Sequence, residues 1–208
     1  MTDERTVLLV VDVQNDFCTG GSLAVAGGED VVPVINALAK RFSHVVLTQD
    51  WHPPGHSSFA SSHPGGKPFE LVRMPYGRQV LWPDHCVQGT RGAEFHADLD
   101  LPQAQTVIRK GYRREVDSYS GFLEADRRTP TGLTGYLRER GIQRVVIAGL
   151  ATDFCVNWTA QDAARAGFDT CVVEDACRAI DLDSSLDRAW AEMAAAGIRR
   201  VSAATLAL

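Results

Sequence analysis

The sequence predicts a three-layer α/β fold, in which a mainly parallel six-stranded sheet lies between helices on both faces. Strand and helix patterns alternate along most of the chain, as in parallel α/β proteins. The first strand pattern is a continuous apolar run, VLLVVDV at 7–13, which is typical of a strand buried on both faces. The 208 residues are 45% hydrophobic and 23% charged, which suits one domain with a full core. We therefore expect a single domain over 1–208.

The remaining elements follow in a regular order. A helix is predicted over 29–42, because Val32, Ile35, Leu38 and Ala39 form one apolar stripe. Apolar runs predict five further strands, at 44–50, 105–110, 144–150, 169–175 and 198–203. Helical patterns are found at 132–140, from 152 to about 166, and at 184–195.

The helix that starts near 152 has its own boundary signals. Thr152 or Asp153 can cap its first turn, and Gly167 follows its last residues. Residues 51–105 form a long excursion that is rich in Pro, Gly, His and Ser. Such a segment in a compact domain is usually functional.

Charge and cysteine content exclude several classes of partner. The net charge of −5 does not favour nucleic acid or an anionic membrane. The start, MTDERTVLLVV, places acids before a short apolar run, unlike a signal peptide or a spanning helix. Five cysteines are irregularly spaced and odd in number, so we expect free thiols in the cytosol. Cys18, Cys86, Cys171 and Cys177 are interpreted as structural.

Reactive side chains stand where the predicted strands end. Ligands of open α/β sheets bind outside the carboxyl ends of the strands. Asp12 ends the first strand, Asp50 the second and Lys110 the third, while the fourth leads into Cys155. An acid, a base and a thiol are therefore predicted to meet at one edge of the sheet.

Cys155 is the candidate nucleophile. It follows the turn GLATD at a predicted helix start, where the positive helix end lowers a thiol pKa and amide N–H groups can stabilise an oxyanion. A cysteine alone is more often a small buried hydrophobe. Lys110 could stabilise the thiolate and Asp12 could carry its proton. Asp12 could instead bond a loop, and Lys110 could be a surface charge within RKGYRRE.

Asp50 and His52 form a D-x-H pair, and His85 lies in WPDHC within the excursion. One carboxylate and two imidazoles, with positions left for water, suit Zn²⁺, Fe²⁺ or Mn²⁺. A single D-x-H pair is weak evidence for a metal site, because histidines in loops are more often solvated than bound to a metal. His56 and Ser58 are candidates for a further position in the metal shell, with no choice between them. His63 and His96 are interpreted as surface residues.

Five ordered motifs carry a family resemblance, which covers nearly the whole chain. The motifs are VVDVQNDFCTGGSL, TQDWHPPGHSSFAS, LWPDHCVQGT, VIRKGYRREVDSYSGF and GLATDFCV. Together they resemble the bacterial nicotinamidases, the pyrazinamidase/nicotinamidase branch of the isochorismatase-like cysteine hydrolase superfamily. The resemblance implies a triad of Asp12, Lys110 and Cys155. It also implies a cis peptide before Ala151 and an oxyanion hole from the backbone N–H groups of Ala151 and Cys155.

The resemblance further implies a metal and a substrate pocket. Asp50, His52 and His85 would hold one divalent ion, with Zn²⁺ favoured and Fe²⁺ or Mn²⁺ open, and the ion would bind the ring nitrogen of the substrate. Phe17 and Trp82 would form flat walls for a pyridine ring, although aromatics are more often ordinary core residues. Tyr119 is a weaker pocket candidate.

The implied reaction is hydrolysis of nicotinamide to nicotinate and ammonia through a thioester, for NAD salvage, with pyrazinamide as a further substrate and a homo-oligomer as the assembly. One alternative is a superfamily amidohydrolase acting on an N-carbamoyl or ureido substrate; the metal motif argues against it. Another is a dinucleotide-binding domain without hydrolysis. That domain would need G-x-G-x-x-G at the first strand–helix turn, where the chain reads DVQNDFCTGGSL.

Overall fold

The computed structural model describes residues 3–207, so Met1, Thr2 and Leu208 of the predicted domain lie outside the described residues. The described chain forms eight strands: β1 (Thr6–Val11), β2 (His44–Asp50), β3 (Leu71–Met74), β4 (Gly77–Val80), β5 (Thr106–Lys110), β6 (Arg144–Leu150), β7 (Asp169–Arg178) and β8 (Arg199–Val201). Six of them form one sheet in the order β5-β2-β1-β6-β7-β8, and all neighbours in it are parallel. The predicted fold class is confirmed.

Helices cover both faces of the sheet: α1 (Val31–Ala39), α2 (Leu133–Glu139), α3 (Asn157–Arg165) and α4 (Ser185–Ala195). The side chains of β1 alternate between two buried clusters. Leu8 and Val10 pack in the cluster that contains α1, whereas Val7 and Leu9 pack in the cluster of α2, α3 and α4. Burial on both faces explains the continuous apolar run at 7–13.

Several boundaries differ from those predicted. β1 ends at Val11, because Asp12 leaves the strand with a φ of 48°. The first helix is shorter than 29–42, since Gly28–Asp30 forms a 3-10 turn before it. β7 continues to Arg178, so Cys177 lies within the strand instead of after it.

The excursion at 51–105 contains a hairpin that the sequence analysis did not predict. β3 and β4 pair antiparallel, from Leu71 opposite Val80 to Met74 opposite Gly77, and they form a sheet of their own. Among residues 3–207, no helix combines the length and the apolar character needed to cross a bilayer.

Candidate active site

The polar residues at the strand ends converge at the carboxyl edge of the sheet. β5, β2, β1 and β6 are consecutive across the sheet, and they carry or precede Lys110, Asp50, Asp12 and Cys155 respectively. Asp50 and Lys110 are register partners at the last position of their strands. The common parallel direction of the strands therefore brings the four side chains together.

Lys110 is the centre of this group and is completely buried. Its Nζ lies 2.8 Å from Asp12 Oδ2 and 3.3 Å from Cys155 Sγ, and it also donates to Asp50 Oδ1 and to the carbonyl of Ser118. Burial opposes the charged form, but the Asp12 and Asp50 carboxylates outweigh it and raise the pKa of Lys110 well above its usual range. Lys110 is thus a buried ammonium, and the surface-charge interpretation is wrong.

Asp12 is also fully buried, and its Oδ1 accepts a hydrogen bond of 2.6 Å from Thr48 Oγ1. Burial raises the pKa of Asp12 to about 6, although Lys110 works in the opposite direction. Thr48 was not a candidate from the sequence, because its contact depends on the pairing of β1 with β2. A carboxylate with such a pKa can take and return a proton near neutral pH.

The raised pKa predicts an acid limit to catalysis. In the role predicted for it, Asp12 must be a carboxylate to accept the thiol proton, and with a pKa of about 6 it is protonated at lower pH. We expect kcat/KM to rise with a slope of one through about pH 6 and to stay level above it. The measurement is a pH–rate profile under saturating metal. An acid limb that moved with metal concentration would instead report protonation of His52 and His85, the histidines predicted to bind metal, and would contradict the assignment to Asp12.

Cys155 lies in a π-helical turn, Thr152–Val156, that joins β6 to α3. Ala151 is the N-terminal cap of this turn, and neither Thr152 nor Asp153 caps it through a side chain, so that expectation is wrong. Asp153 instead accepts hydrogen bonds from Ile180 N, Asp181 N and Ser185 Oγ. The peptide bond between Leu150 and Ala151 is cis.

The thiol of Cys155 is neutral in the resting protein. Burial raises its pKa well above the usual range, and the opposing effect of Lys110 is smaller. The expectation of a pKa lowered by the helix start is therefore wrong, because the turn buries the sulfur. A neighbouring base would have to take the thiol proton before the sulfur could act as a nucleophile.

A second group, beside the first, has the composition of a metal site. Asp50 Oδ2 lies 3.6 Å from His52 Nε2 and 3.9 Å from His85 Nε2, and all three residues are buried. The Nδ1 atoms of the histidines lie 2.8 Å from the carbonyls of Gly111 and Pro83. Donation of Nδ1–H to a carbonyl leaves Nε2 free to bind a metal, as in metalloprotein sites. The residues therefore fit one divalent ion.

The two histidines differ in the direction in which the site shifts their pKa values. Burial and the neighbouring His52 lower the pKa of His85 to about 4, so His85 is a neutral imidazole. Burial acts against charge on His52 as well, but the Asp50 carboxylate raises the pKa of that ring. The negative charge of Asp50 can therefore stabilise a cation that lies beside the Nε2 atoms of His52 and His85.

His56 and Ser58 bind each other next to this group. His56 Nδ1 lies 2.7 Å from Ser58 Oγ, and its Nε2 lies 3.3 Å from the carbonyl of Val116. Both ring nitrogens are therefore occupied, and the His56 ring packs 4.3 Å from that of His52, centroid to centroid. His56 also belongs to a second group of possible metal donors, with His52 and Asp117, so a place for His56 or Ser58 in the metal shell stays a prediction.

Two supporting residues escaped the sequence analysis. Gln14 accepts a hydrogen bond from Asp50 N and donates one to the carbonyl of Asp50, both at 2.8 Å, and so fixes the end of β2. Gly111 has a φ of 65°, and a Cβ there would lie 2.3 Å from His52 Cε1. Only glycine allows the His52 ring to approach this backbone.

A cavity of about 20 Å³ connects the two groups. It is lined by Phe17, Leu23, Asp50, His52, Trp82, His85, Asp117, Tyr119, Ala151, Phe154, Cys155 and Ile180. Both aromatic residues predicted for the pocket are on its wall, and so is Tyr119, whose hydroxyl accepts a hydrogen bond from Trp82 Nε1. The sequence analysis did not identify Leu23, Asp117, Phe154 or Ile180. Each lies in a turn or loop whose position is set by tertiary packing.

The remaining histidines and cysteines lie outside this cavity lining. His63 and His96 are half-buried instead of fully exposed, and His63 Nε2 lies 2.8 Å from the carbonyl of Ser57. The five cysteines are all free and buried. Of the five, Cys155 alone lines the cavity.

A buried thiol, an ammonium and a carboxylate at the carboxyl edge of a parallel sheet are the parts of a cysteine hydrolase site. The family model described as Isochorismatase domain matches residues 6–205, and the chain belongs to that family.

Within this family, the chain is similar to nicotinamidases. It is 60% identical to the nicotinamidase of Acinetobacter baylyi, over 94% of this chain and 91% of that protein. The structure of a nicotinamidase/pyrazinamidase from Acinetobacter baumannii superposes with a TM-score of 0.98, at 56% identity and full coverage of both chains.

Two further solved structures contain bound groups. That of PnC1 from L. infantum in complex with nicotinate has a TM-score of 0.87 at 39% identity, covering 100% of this chain and 98% of that one. That of the pyrazinamidase of Pyrococcus horikoshii in complex with zinc has a TM-score of 0.79 at 37% identity, covering 95% and 99%.

Proposed function

We propose that the chain is a nicotinamidase that hydrolyses nicotinamide to nicotinate and ammonia in NAD salvage, and that it also accepts pyrazinamide. The observation that carries this proposal is the shared cavity, where a thiol and a metal-type donor set face one aromatic-walled space. A pyridine carboxamide has a ring nitrogen for the donor set and an amide carbon for the thiol. The names of the similar proteins support the same substrate.

The first half-reaction forms a thioester. Cys155 Sγ attacks the carboxamide carbon while its proton passes to Asp12, and the backbone N–H groups of Ala151 and Cys155 stabilise the oxyanion. Asp12 then gives the proton to the leaving nitrogen, the C–N bond breaks, and ammonia departs. Lys110 stays charged throughout, and it stabilises the thiolate and orients Asp12.

The second half-reaction releases the acid. Asp12 takes a proton from a water molecule, which attacks the thioester carbon, and the same N–H groups stabilise the second oxyanion. Collapse of the intermediate breaks the C–S bond. The thiolate regains a proton from Asp12, and the product acid leaves and releases its remaining proton to solvent, which gives nicotinate. The site returns to a neutral thiol beside a carboxylate.

Asp50, His52 and His85 are proposed to hold one divalent ion, with Zn²⁺ favoured over Fe²⁺ or Mn²⁺. Such an ion is a Lewis acid that binds the pyridine nitrogen and fixes the ring in the pocket. Phe17 and Trp82 pack on the ring faces and keep water away from it. The zinc bound to the Pyrococcus horikoshii protein supports this choice.

Ammonia release from nicotinamide, with and without a chelator, tests the proposal. Activity that is lost with the chelator and restored by Zn²⁺ supports it. Benzamide, which lacks the ring nitrogen, is the control substrate. Equal hydrolysis of benzamide and nicotinamide would contradict the ring-anchoring role of the metal.

A cytosolic location and a homo-oligomer, dimer or higher, are part of the same proposal. Five free and buried cysteines suit a reducing compartment. Phe69 and Leu71 expose about half of their surface on the β3 hairpin, which suits contact with a second copy.

A further inference from the structure

The substrate cavity is narrow in this structure. Its volume of about 20 Å³ is close to the space that a single water molecule needs, and it is far too small for a pyridine carboxamide. A much larger groove, of about 620 Å³, lies on the outer side of two of its wall residues, Tyr119 and Phe154. A part of the wall must therefore move before a substrate can pass from the groove to Cys155.

Residues 180–185, here called the lid segment, lie between the cavity and the groove. Ile180 lines the inner cavity, whereas Leu182, Asp183 and Ser185 line the outer groove. The lid segment follows β7 and leads into α4, with Asp181, Asp183 and Ser184 at positive φ values of 50–61°. Few non-glycine residues adopt such backbone angles without support from outside. Movement of this segment would join the two spaces.

Asp153 supplies that support from the turn of the nucleophile. Its side chain is 5% exposed, and its carboxylate accepts hydrogen bonds from Ile180 N at 3.1 Å, from Asp181 N at 2.8 Å, and from Ser185 Oγ. Three donors at both ends of a six-residue segment thus converge on one side chain. Hydrogen bonds to a charged acceptor are stronger than neutral ones.

We propose that Asp153 is a positioning residue that holds the lid segment closed, with Ile180 against the bound substrate. The inference rests on the proposed nicotinamide hydrolysis. Asp153 takes no part in proton transfer or in binding of the metal. It acts through Ile180, so its loss should lower the population of the closed state while the thiol and its neighbours stay in place.

The variant Asp153→Asn tests this role. An amide offers one oxygen acceptor, and its NH₂ group would face N–H or O–H donors, so at least one bond to the lid segment is lost. We expect KM for nicotinamide to rise by about tenfold and kcat to change by less than about threefold, because a smaller closed fraction weakens apparent affinity. Labelling of Cys155 by iodoacetamide, without substrate, should become several-fold faster. Glu124→Gln is the matched control, since Glu124 is equally buried, pairs with Arg113, and lines neither the cavity nor the groove. It should lower Tm with KM and labelling unchanged.

A double-mutant cycle separates positioning from general support. Ile180→Ala should raise KM, and Asp153→Asn should add little to it, because both act through one side chain. The proposal would be overturned if the two substitutions raised KM in the double variant by the product of their separate effects. An unchanged labelling rate in Asp153→Asn would also overturn it. If Asp153→Asn does not fold, Ser185→Ala removes one of the three bonds, and labelling as slow as in the wild type would refute the lid. Faster labelling in a protein that does not hydrolyse nicotinamide would refute the proposed function alone.

Discussion

Cys155→Ala is expected to lower nicotinamide hydrolysis by at least about 10⁴-fold, because the nucleophile is lost and no other cysteine lines the cavity. The fold should remain. The change removes one buried sulfur atom, which costs on the order of 1 kcal/mol, and the turn keeps its backbone hydrogen bonds to Ala151. The measurements are ammonia release and a thermal melting curve. Electrophilic labelling of the variant should also lose the signal of the reactive thiol.

Cys171→Ala is the matched control for that result. Cys171 is a buried free thiol in β7, away from the carboxyl edge of the sheet. Its replacement should lower Tm slightly and leave kcat/KM within about twofold. Full activity in Cys155→Ala, or a comparable loss in Cys171→Ala, would exclude Cys155 as the nucleophile.

His85→Ala is expected to lower nicotinamide turnover by about 10²- to 10³-fold with loss of bound metal, because one of three protein donors is removed. Cys155 should react with a small thiol reagent at a near-normal rate, since the polar partners of His85 are the carbonyl of Pro83 and Asp50, and neither is Asp12, Lys110 or a residue of the nucleophile's turn. Metal content by elemental analysis, turnover and labelling rate are the three measurements. The predicted pattern is a failure of substrate anchoring with an intact nucleophile.

Benzamide and a second histidine sharpen this experiment. Benzamide should be a poor substrate of the wild type. Replacement of His85 should lower the turnover of benzamide much less than that of nicotinamide. His63→Ala, in the same excursion but outside the cavity lining, should keep metal and activity. If His85→Ala lowered the turnover of benzamide and of nicotinamide by the same factor, the metal would act on the amide or stabilise the fold instead of anchoring the ring.

The sequence was sufficient to predict the features that depend on strand ends. A parallel sheet places the carboxyl ends of its strands at one edge, so Asp12, Asp50, Lys110 and Cys155 could be grouped without coordinates. The alternation of elements was likewise enough for the fold class. The roles of these residues remain predictions, but their proximity is a property of the fold.

Other features depend on tertiary contacts that leave no local pattern. The β3–β4 hairpin consists of two four-residue strands within a Pro- and Gly-rich region, too short for a periodicity to be recognised. Thr48 and Gln14 reach the site only through the register of neighbouring strands. The high pKa of Cys155 follows from its complete burial, whereas the sequence shows only the helix that follows it.

The end of β5 serves both halves of the site through adjacent residues. Lys110 places its ammonium beside the thiol, and the carbonyl of Gly111 orients the His52 ring. β5 is an edge strand whose only partner in the sheet is β2. An edge strand has backbone groups without a neighbour on one side, and a slip of one residue turns each side chain to the other face. Local opening of β5 would remove the Lys110 ammonium from the thiol and the Gly111 carbonyl from the His52 ring at the same time. Inactivation by partial unfolding should therefore be all-or-none.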